Sequence, residues 1–290
     1  MTAKIIDGKA LAASQKESIA EQVRSFLART KIRPSLHVLL VGDHAPSRVY
    51  VKNKQKACEV VGIQSVVHHL PTKASQDEIL GLVRNLNQSK SVHGILVQLP
   101  LPGPLNSQEI LEAIDPLKDV DGLHPYNLGR LLMQKPVLVP CTPQGCLQLI
   151  QSVQENIQGK KAVVIGRSLL VGRPLSALLI NHDTTVTMAH SKTKDLKEIA
   201  KQADILIAAI GSPGFITGDF IKKGAIVIDV GINRLINAAG EAYLVGDVDF
   251  ESATAVAGFI TPVPGGVGPM TISNLLLNTI KAAQFQVGLA

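Results

Sequence analysis

The feature that most constrains this chain is an alternation. Short apolar runs, most of them nearly continuous in Val, Ile and Leu, recur along most of its length, separated by longer amphipathic stretches. The runs are Leu36–Val41, Ser65–Leu70, Gly94–Leu99, Ala162–Ile165, Thr185–Met188, Ile205–Ile210 and Ala225–Val230. Segments that are apolar throughout, rather than at every second residue, read as strands covered on both faces. Between them the spacing predicts helices over Gly8–Arg29, Ser47–Val61, Ser75–Asn87 and Pro174–Asn181. Strand, helix and strand in repetition build right-handed βαβ units on a parallel sheet, so the fold class is α/β.

The units fall into two series, separated by a stretch from Pro100 to Thr142 that holds seven prolines. Prolines at that density break regular structure and set a winding path. Thr142-Pro143 then reads as an N-cap followed by proline at the first helical position, opening a helix to about Val153. A second Pro/Gly cluster, Thr261 to Pro269, precedes a final helix from Met270 to about Ala283. On it Ile272, Leu275, Leu276, Thr279 and Ile280 recur at helical spacing, which marks a buried face. For 290 residues this pattern predicts two α/β lobes around a cleft. The first comprises residues 1–141 with the C-terminal helix, 270–290, packing back on it; the second is residues 142–269.

Charge and cysteine usage narrow the classes. The net charge of +6 lies within residues 1–60, where eleven bases face five acids, while the remaining residues balance. A local basic excess attracts nucleic acid, a membrane surface or a small anion. Nucleic acid is disfavoured because no aromatic residue lies between Lys52 and Lys56 and no nucleic-acid motif is present. No apolar run reaches the roughly 18–20 residues of a membrane span, and the opening residues lack a secretory signal. Cys58, Cys141 and Cys146 are odd in number and unpaired in spacing, and the eight His include no HExxH. The expectation is a cytoplasmic protein with no structural disulfide and no metal site.

Lys161–Ile165 runs into Gly166-Arg-Ser-Leu-Leu-Val-Gly172-Arg-Pro174 and then a helix. A strand, a glycine turn and a helix N-terminus are the parts of a dinucleotide phosphate site. The glycines are six apart, so the usual GxGxxG spacing is not met, and an ordinary βα turn remains an alternative. The next strand ends in Ala189-His190-Ser191-Lys192, without the carboxylate that commonly takes the ribose hydroxyls of NAD. Arg167, Ser191 and His190, with Arg173 one turn away, suit a 2′-phosphate instead, which favours NADP. Ser191 reads equally well as a cap for a helix over Lys194–Lys201. Gly211-Ser-Pro-Gly214 and Asp229-Val-Gly231-Ile232-Asn233 end the following strands with small residues that leave room for a ligand.

In the first half, Tyr50 and Lys54 lie four apart in a helical run and share one face, while Lys52 and Lys56 are rotated towards solvent. Gln98 closes the strand that begins at Gly94, and Asp121 sits in Lys118-Asp-Val-Asp-Gly122. Spacing alone leaves each open to a bland reading: a surface pair, a strand end, a turn.

Five motifs in order change the weights: Tyr50-Val-Lys-Asn-Lys54, Val97-Gln-Leu-Pro-Leu-Pro102, Lys118-Asp-Val-Asp-Gly122, Gly166-Arg-Ser168 with Val171-Gly172, and Thr261-Pro-Val-Pro-Gly-Gly-Val-Gly-Pro-Met-Thr271. Over essentially its whole length the chain resembles the bifunctional methylenetetrahydrofolate dehydrogenase/methenyltetrahydrofolate cyclohydrolase family. The resemblance implies a Rossmann-like NADP-binding second lobe and two reactions. One is NADP-dependent oxidation of 5,10-methylenetetrahydrofolate to the 5,10-methenyl form; the other is hydrolysis of that product to 10-formyltetrahydrofolate. It implies Lys54 as the catalytic proton shuttle, Gln98 tuning it, and Tyr50 and Asp121 positioning the pterin. Folate would also meet Val51, Lys52, Asn53, Val97 and Leu99, and the loop formed by Pro264, Gly265, Gly266, Val267, Gly268, Pro269, Met270, Thr271 and Ile272. NADP would meet Gly166, Arg167, Ser168, Arg173, His190, Ser191, Gly231 and Ile232. Homodimers formed through the cofactor domain, and tetrahydrofolate derivatives with or without a polyglutamate tail as partners, follow in the same way. The basic excess then reads as attraction for the carboxylated folate tail, with Lys4, Lys9, Lys52 and Lys56 as the bases on offer. Two other readings stay open: a dehydrogenase of the amino-acid or shikimate type, and an anion-binding protein without catalysis.

Overall fold

The computed structural model describes residues 2–237 and 240–289. Its first elements are β1 (Lys4–Ile5), α1 (Gly8–Thr30), β2 (Ser35–Val41), α2 (Ala45–Val61), β3 (Gln64–Leu70), α3 (Gln76–Gln88) and β4 (Gly94–Val97). Three helices follow, α4 (Ser107–Glu112), α5 (Pro125–Leu132) and α6 (Cys141–Gln151). The second series is β5 (Lys161–Ile165), α7 (Gly172–Asn181), β6 (Thr185–Ala189), α8 (Leu196–Ala200), β7 (Ile205–Ala208) and β8 (Ile226–Asp229). An antiparallel pair, β9 (Asn233–Ile236) and β10 (Ala242–Val245), leads to α9 (Phe250–Thr254), β11 (Phe259–Ile260) and α10 (Val267–Gln286).

The chain forms two compact units, Ala13–Cys141 with Ile272–Ala290, and Met1–Ala12 with Thr142–Thr271. In the former, β3, β2 and β4 make a parallel sheet with β2 central. Side chains alternate across a strand. Accordingly Leu36, Val38 and Leu40 of β2 enter one core with Ile19, Val51, Leu275 and Ile280, whereas Leu39 and Val41 enter another with Ile79, Val83 and Ile110. The C-terminal helix therefore packs into the core of this unit, as its apolar spacing predicted. Ser75 caps α3 through a capping box with Glu78, and Gly62 ends α2 in the left-handed region at φ 87°.

The other unit carries a six-stranded sheet among the described residues, in the order β1-β11-β8-β7-β5-β6 and parallel throughout. With β6 on one side of β5 and β7 on the other, the order reverses at β5. In open α/β sheets that switch point is where ligands bind, beyond the carboxyl ends of the strands.

Four sequence expectations need correcting. The first dozen residues group with the second unit, where Lys4 and Ile5 pair with Phe259 and Ile260, an edge too short to show periodicity. The proline-rich stretch is not free of regular structure, since Asn106 caps α4 and Pro125 opens α5. Thr142 is not an N-cap, because α6 already begins at Cys141; its hydroxyl pairs with that of Thr271 at 3.0 Å. The last helix begins at Val267 rather than Met270, so Pro269 stands in its first turn, where a missing N–H costs nothing.

Candidate active site

In the unit built on β2, α2 carries Tyr50 and Lys54 one turn apart, and Gln98 follows directly on β4. Lys54 Nζ donates to Gln98 Oε1 at 3.0 Å, while Gln98 Nε2 donates to the carbonyl of Leu99 at 2.8 Å. The glutamine is thus held at both ends of its amide, with its oxygen turned to the lysine. Burial pushes the Lys54 ammonium below the usual lysine range, and the charge of Asp121 pulls the other way. Burial raises the carboxyl of Asp121, opposed by Lys54. The phenol of Tyr50 is also raised by burial. Three of the four sequence candidates are therefore coupled in one place, with Tyr50 on the same helix face as Lys54. Lys52 and Asn53 are exposed, Leu99 is partly buried, and Val51 and Val97 point into the two cores.

The segment Lys118–Gly122 divides its work residue by residue. Lys118 Nζ donates to the carbonyls of Leu86, Asn87 and Ser89, closing the C-terminal end of α3. The Asp119 carboxylate accepts from the amides of Gly122 and His124 and from Asn127 Nδ2, and burial lifts its pKa to about 6 against those bonds. The Val120 carbonyl accepts from Asn278 Nδ2 at 2.9 Å and from Cys141 Sγ at 3.2 Å. Gly122 has φ 74°, and a Cβ there would meet the Pro140 nitrogen at 2.6 Å. The neighbours of Asp121 are pinned in this way, while its own carboxylate interacts with the Lys54 charge and with the Cys141 thiol. Sequence reasoning missed Lys118, Asp119 and Asn278. The visible signal for Asn278 was an amide inside the apolar helix stretch Leu275-Leu276-Leu277-Asn278-Thr279-Ile280.

In the other unit, β5 runs into a turn closed by its two glycines. A Cβ on Gly166 (φ 128°) would lie 2.1 Å from the Ala209 oxygen, and one on Gly172 would lie 2.1 Å from the Gly166 oxygen. The six-residue glycine spacing is therefore a close backbone packing rather than a variant of GxGxxG. Ser168 Oγ accepts from the amides of Val171 and Gly172, and Arg173 Nε donates to the Arg167 carbonyl. The side chain of Arg167 is exposed. At the end of β6, His190 and Thr193 close a turn in which Ser191 is exposed; α8 begins only at Leu196, so Ser191 does not cap it. Gly231 is buried against Asp247, and Ile232 is 45% exposed, an apolar side chain presented at the strand ends. The turn at Gly211–Gly214 borders open space, since a Cβ on either glycine would meet nothing within 4 Å. Exposed arginine and serine, no carboxylate after β6, and open glycine turns fit a dinucleotide carrying a 2′-phosphate.

The loop Pro264–Pro269 belongs to this same unit. Gly265 has φ 116°, Gly266 donates to the Pro262 carbonyl, and Gly8 approaches so closely that a Cβ there would lie 2.0 Å from the Gly266 oxygen. Met270 is buried, while Thr271 and Ile272 are partly buried on α10. Among the described residues no helix is long and apolar enough to cross a membrane, and the three cysteines are free and buried.

Family models match both segments: tetrahydrofolate dehydrogenase/cyclohydrolase, catalytic domain, over residues 6–121, and the NAD(P)-binding domain of the same enzyme over residues 140–287. The chain belongs to the tetrahydrofolate dehydrogenase/cyclohydrolase family. The bifunctional protein FolD of Moorella thermoacetica is 53% identical over 284 residues, covering 98% of this chain and all of that one. The crystal structure of the bifunctional enzyme FolD from Campylobacter jejuni is 48% identical, with a TM-score of 0.93 over 98% of this chain and 99% of that chain. FolD of Trypanosoma brucei, solved with NADP and an inhibitor, is 39% identical, with a TM-score of 0.94 over 99% of each chain. Membership in the dehydrogenase/cyclohydrolase family sets aside the amino-acid or shikimate dehydrogenase and the non-catalytic anion binder.

Proposed function

We propose that the chain oxidises 5,10-methylenetetrahydrofolate with NADP to the 5,10-methenyl form and hydrolyses that to 10-formyltetrahydrofolate, with Lys54 moving the protons of the second reaction. The observation that carries this reading is the buried Lys54 ammonium, bonded to a neutral amide and coupled to Asp121. Burial that lowers the lysine eases the loss of its proton, as proton transfer requires. A cationic methenyl substrate beside it would lower it further. Asp121, its carboxylate coupled to Lys54, would accept from the amino and ring N–H groups of the pterin and fix its register. Tyr50 would lay its ring against the pterin.

NADP, when bound, supplies the hydride acceptor. The chain's own part in that step is placement: the Gly166–Gly172 turn and the N-terminus of α7 would hold the pyrophosphate, and Arg167, Arg173, His190 and Ser191 would hold the 2′-phosphate. Gly231 and Ile232 border the remaining half. The folate tail, with or without polyglutamate, would meet Lys52 or Lys56. The enzyme would act in the cytoplasm as a homodimer through the nucleotide unit. The outward apolar residues of the β9–β10 pair, Ile236, Tyr243 and Leu244, support that surface.

Lys54→Met tests the central assignment. It should abolish hydrolysis of methenyltetrahydrofolate while folate still binds; a variant that hydrolyses it at the normal rate refutes Lys54. Sedimentation of the purified chain tests the dimer, and a monomer at micromolar concentration counts against it.

A further inference from the structure

The carboxyl ends of β7 and β8 are joined by two buried carboxylates acting in series. Asp247 is fully buried, and both its oxygens are occupied. Oδ2 accepts from the amides of Ile210 at 2.6 Å and Gly211 at 2.9 Å. Oδ1 accepts from the amide of Ser212 and from Asn233 Nδ2, each at 2.9 Å. Three consecutive backbone N–H groups converging on one anion form a nest, here filled by the protein's own side chain. Asp247 is itself held by Asp229 at the end of β8: Asp229 Oδ1 accepts from the amides of Asp247 and Gly231, and Oδ2 from that of Val248. The packing leaves no slack. A Cβ on Gly231 would lie 2.3 Å from Asp247 Oδ1, and one on Gly246 would lie 1.7 Å from Asp229 Oδ2.

The segments gathered this way, Ile210–Ser212 and Gly231–Asn233, are the turns that follow β7 and β8, beside the β5 switch point. Neither carboxylate is a free acid offered to a ligand. Each spends its lone pairs on shaping backbone, and their joint product is the shape of the floor on one side of the nucleotide site. We propose that Asp247 is a positioning residue for the dinucleotide: it holds the β7 and β8 turns in the conformation that receives the half of NADP beyond the pyrophosphate. This rests on the assignment of NADP to this unit.

The two activities separate a positioning role from a structural one, because hydrolysis of the methenyl substrate consumes no dinucleotide. Asp247→Asn keeps the shape but turns an NH2 group towards backbone N–H donors. The KM for NADP in the dehydrogenase reaction should rise by about tenfold or more, as expected when a charged hydrogen-bond acceptor is lost. The cyclohydrolase rate should stay within about twofold of the parent, a change too small to report a lost interaction. Asn233→Ala, which removes one of the four donors and leaves the nest, should raise the same KM by about threefold, the worth of one modest bond. An unchanged KM for NADP in Asn233→Ala, together with either an unchanged KM or equal loss of both activities in Asp247→Asn, overturns the proposal. If the parent enzyme itself fails to oxidise methylenetetrahydrofolate with NADP, the cofactor assignment falls; if the parent works and the variants match it, only the role of Asp247 falls.

Discussion

Asn278 offers the most direct test of how the unit built on β2 holds the segment that carries Asp121. From α10 its Nδ2 donates to the carbonyls of Val120 at 2.9 Å and Val139 at 2.8 Å, and the residue is 4% exposed. Asn278→Ala strips a donor from two carbonyls. Each buried group left short of a partner costs about 1–3 kcal/mol, but Val120 keeps the weak Cys141 thiol, so about 2–4 kcal/mol is expected in total. Asn278→Asp is nearly isosteric and should be worse at neutral pH, because it sets an anion against two carbonyl oxygens. Its sign with pH is opposite to that of an ordinary paired carboxylate. The new carboxyl would have a folded-state pKa above its unfolded value of about 4. Its neutral form, able to donate one O–H bond, is therefore favoured in the fold. Asn278→Asp should approach Asn278→Ala at acid pH and fall away from it as pH rises.

The measurement is urea unfolding of parent and both variants between pH 5 and 8. The chain has no Trp, so far-ultraviolet circular dichroism is the probe. With a slope of about 2 kcal/mol per molar urea for a unit of this size, Asn278→Ala should lower the midpoint by about 1–2 M. Asn278→Asp should lie lower still at pH 8, with the gap closing towards pH 5. Equal midpoints for the two variants across the range would refute the donor role of the amide. Because the Val120 carbonyl adjoins Asp121, the folate KM should rise in Asn278→Ala while the NADP KM stays put.

Three further outcomes follow from the same geometry. Asp121 raises the pKa of Lys54 against burial, so in Asp121→Asn the alkaline requirement of the residual cyclohydrolase activity should move to lower pH; a pH–rate profile with its limb unmoved would uncouple the two groups. His37, bonded to His68 at 2.9 Å, has its pKa lowered to about 4 by burial and then by His68, His93 and Lys118. Its contribution to stability is present above its unfolded value of about 6.5 and is lost as pH falls towards 4, so His37→Phe should flatten the decline in urea midpoint between pH 7 and 5. Gly166→Ala would drive a methyl group to 2.1 Å from the Ala209 oxygen at φ 128°, and should abolish the dehydrogenase while sparing hydrolysis; full NADP turnover would contradict the close packing of that turn.

Legibility divided along a physical line. The central strands and the long helices were readable because burial on both faces leaves continuous apolar runs, and Leu36–Val41 with both cores against it is the clearest case. Tyr50, Lys54, Gln98 and Asp121 were readable as chemistry only through motif order, since each is an ordinary residue at an ordinary position. The groups that hold the surrounding backbone of either unit in place were not readable. Lys118, Asp119, Asn278 and Asp247 act on backbone amides and carbonyls, which every residue possesses, and Asn278 does so from more than a hundred residues away. The two-residue strands β1 and β11 fall below any period. What local signals existed were mismatches: an amide in an apolar helix, and glycines beside the acids Asp229 and Asp247.

Those acids and Gln98 show why the two units treat charge differently. In the nucleotide unit, carboxylates are bonded on both oxygens and buried for good, because a floor that receives an anionic dinucleotide must keep its own negative charge neutralised by amides. In the folate unit the partner of Lys54 is an amide, not a carboxylate. An amide oxygen accepts from an ammonium or an amine with little preference, whereas a carboxylate at 3.0 Å would favour the ammonium strongly and lock the proton in place. Asp121 stabilises the charged lysine, and burial, the larger effect, destabilises it. In the role proposed for Lys54, a group that takes up and releases a proton in each turnover would gain from that opposition, and the glutamine would supply orientation without adding a charge.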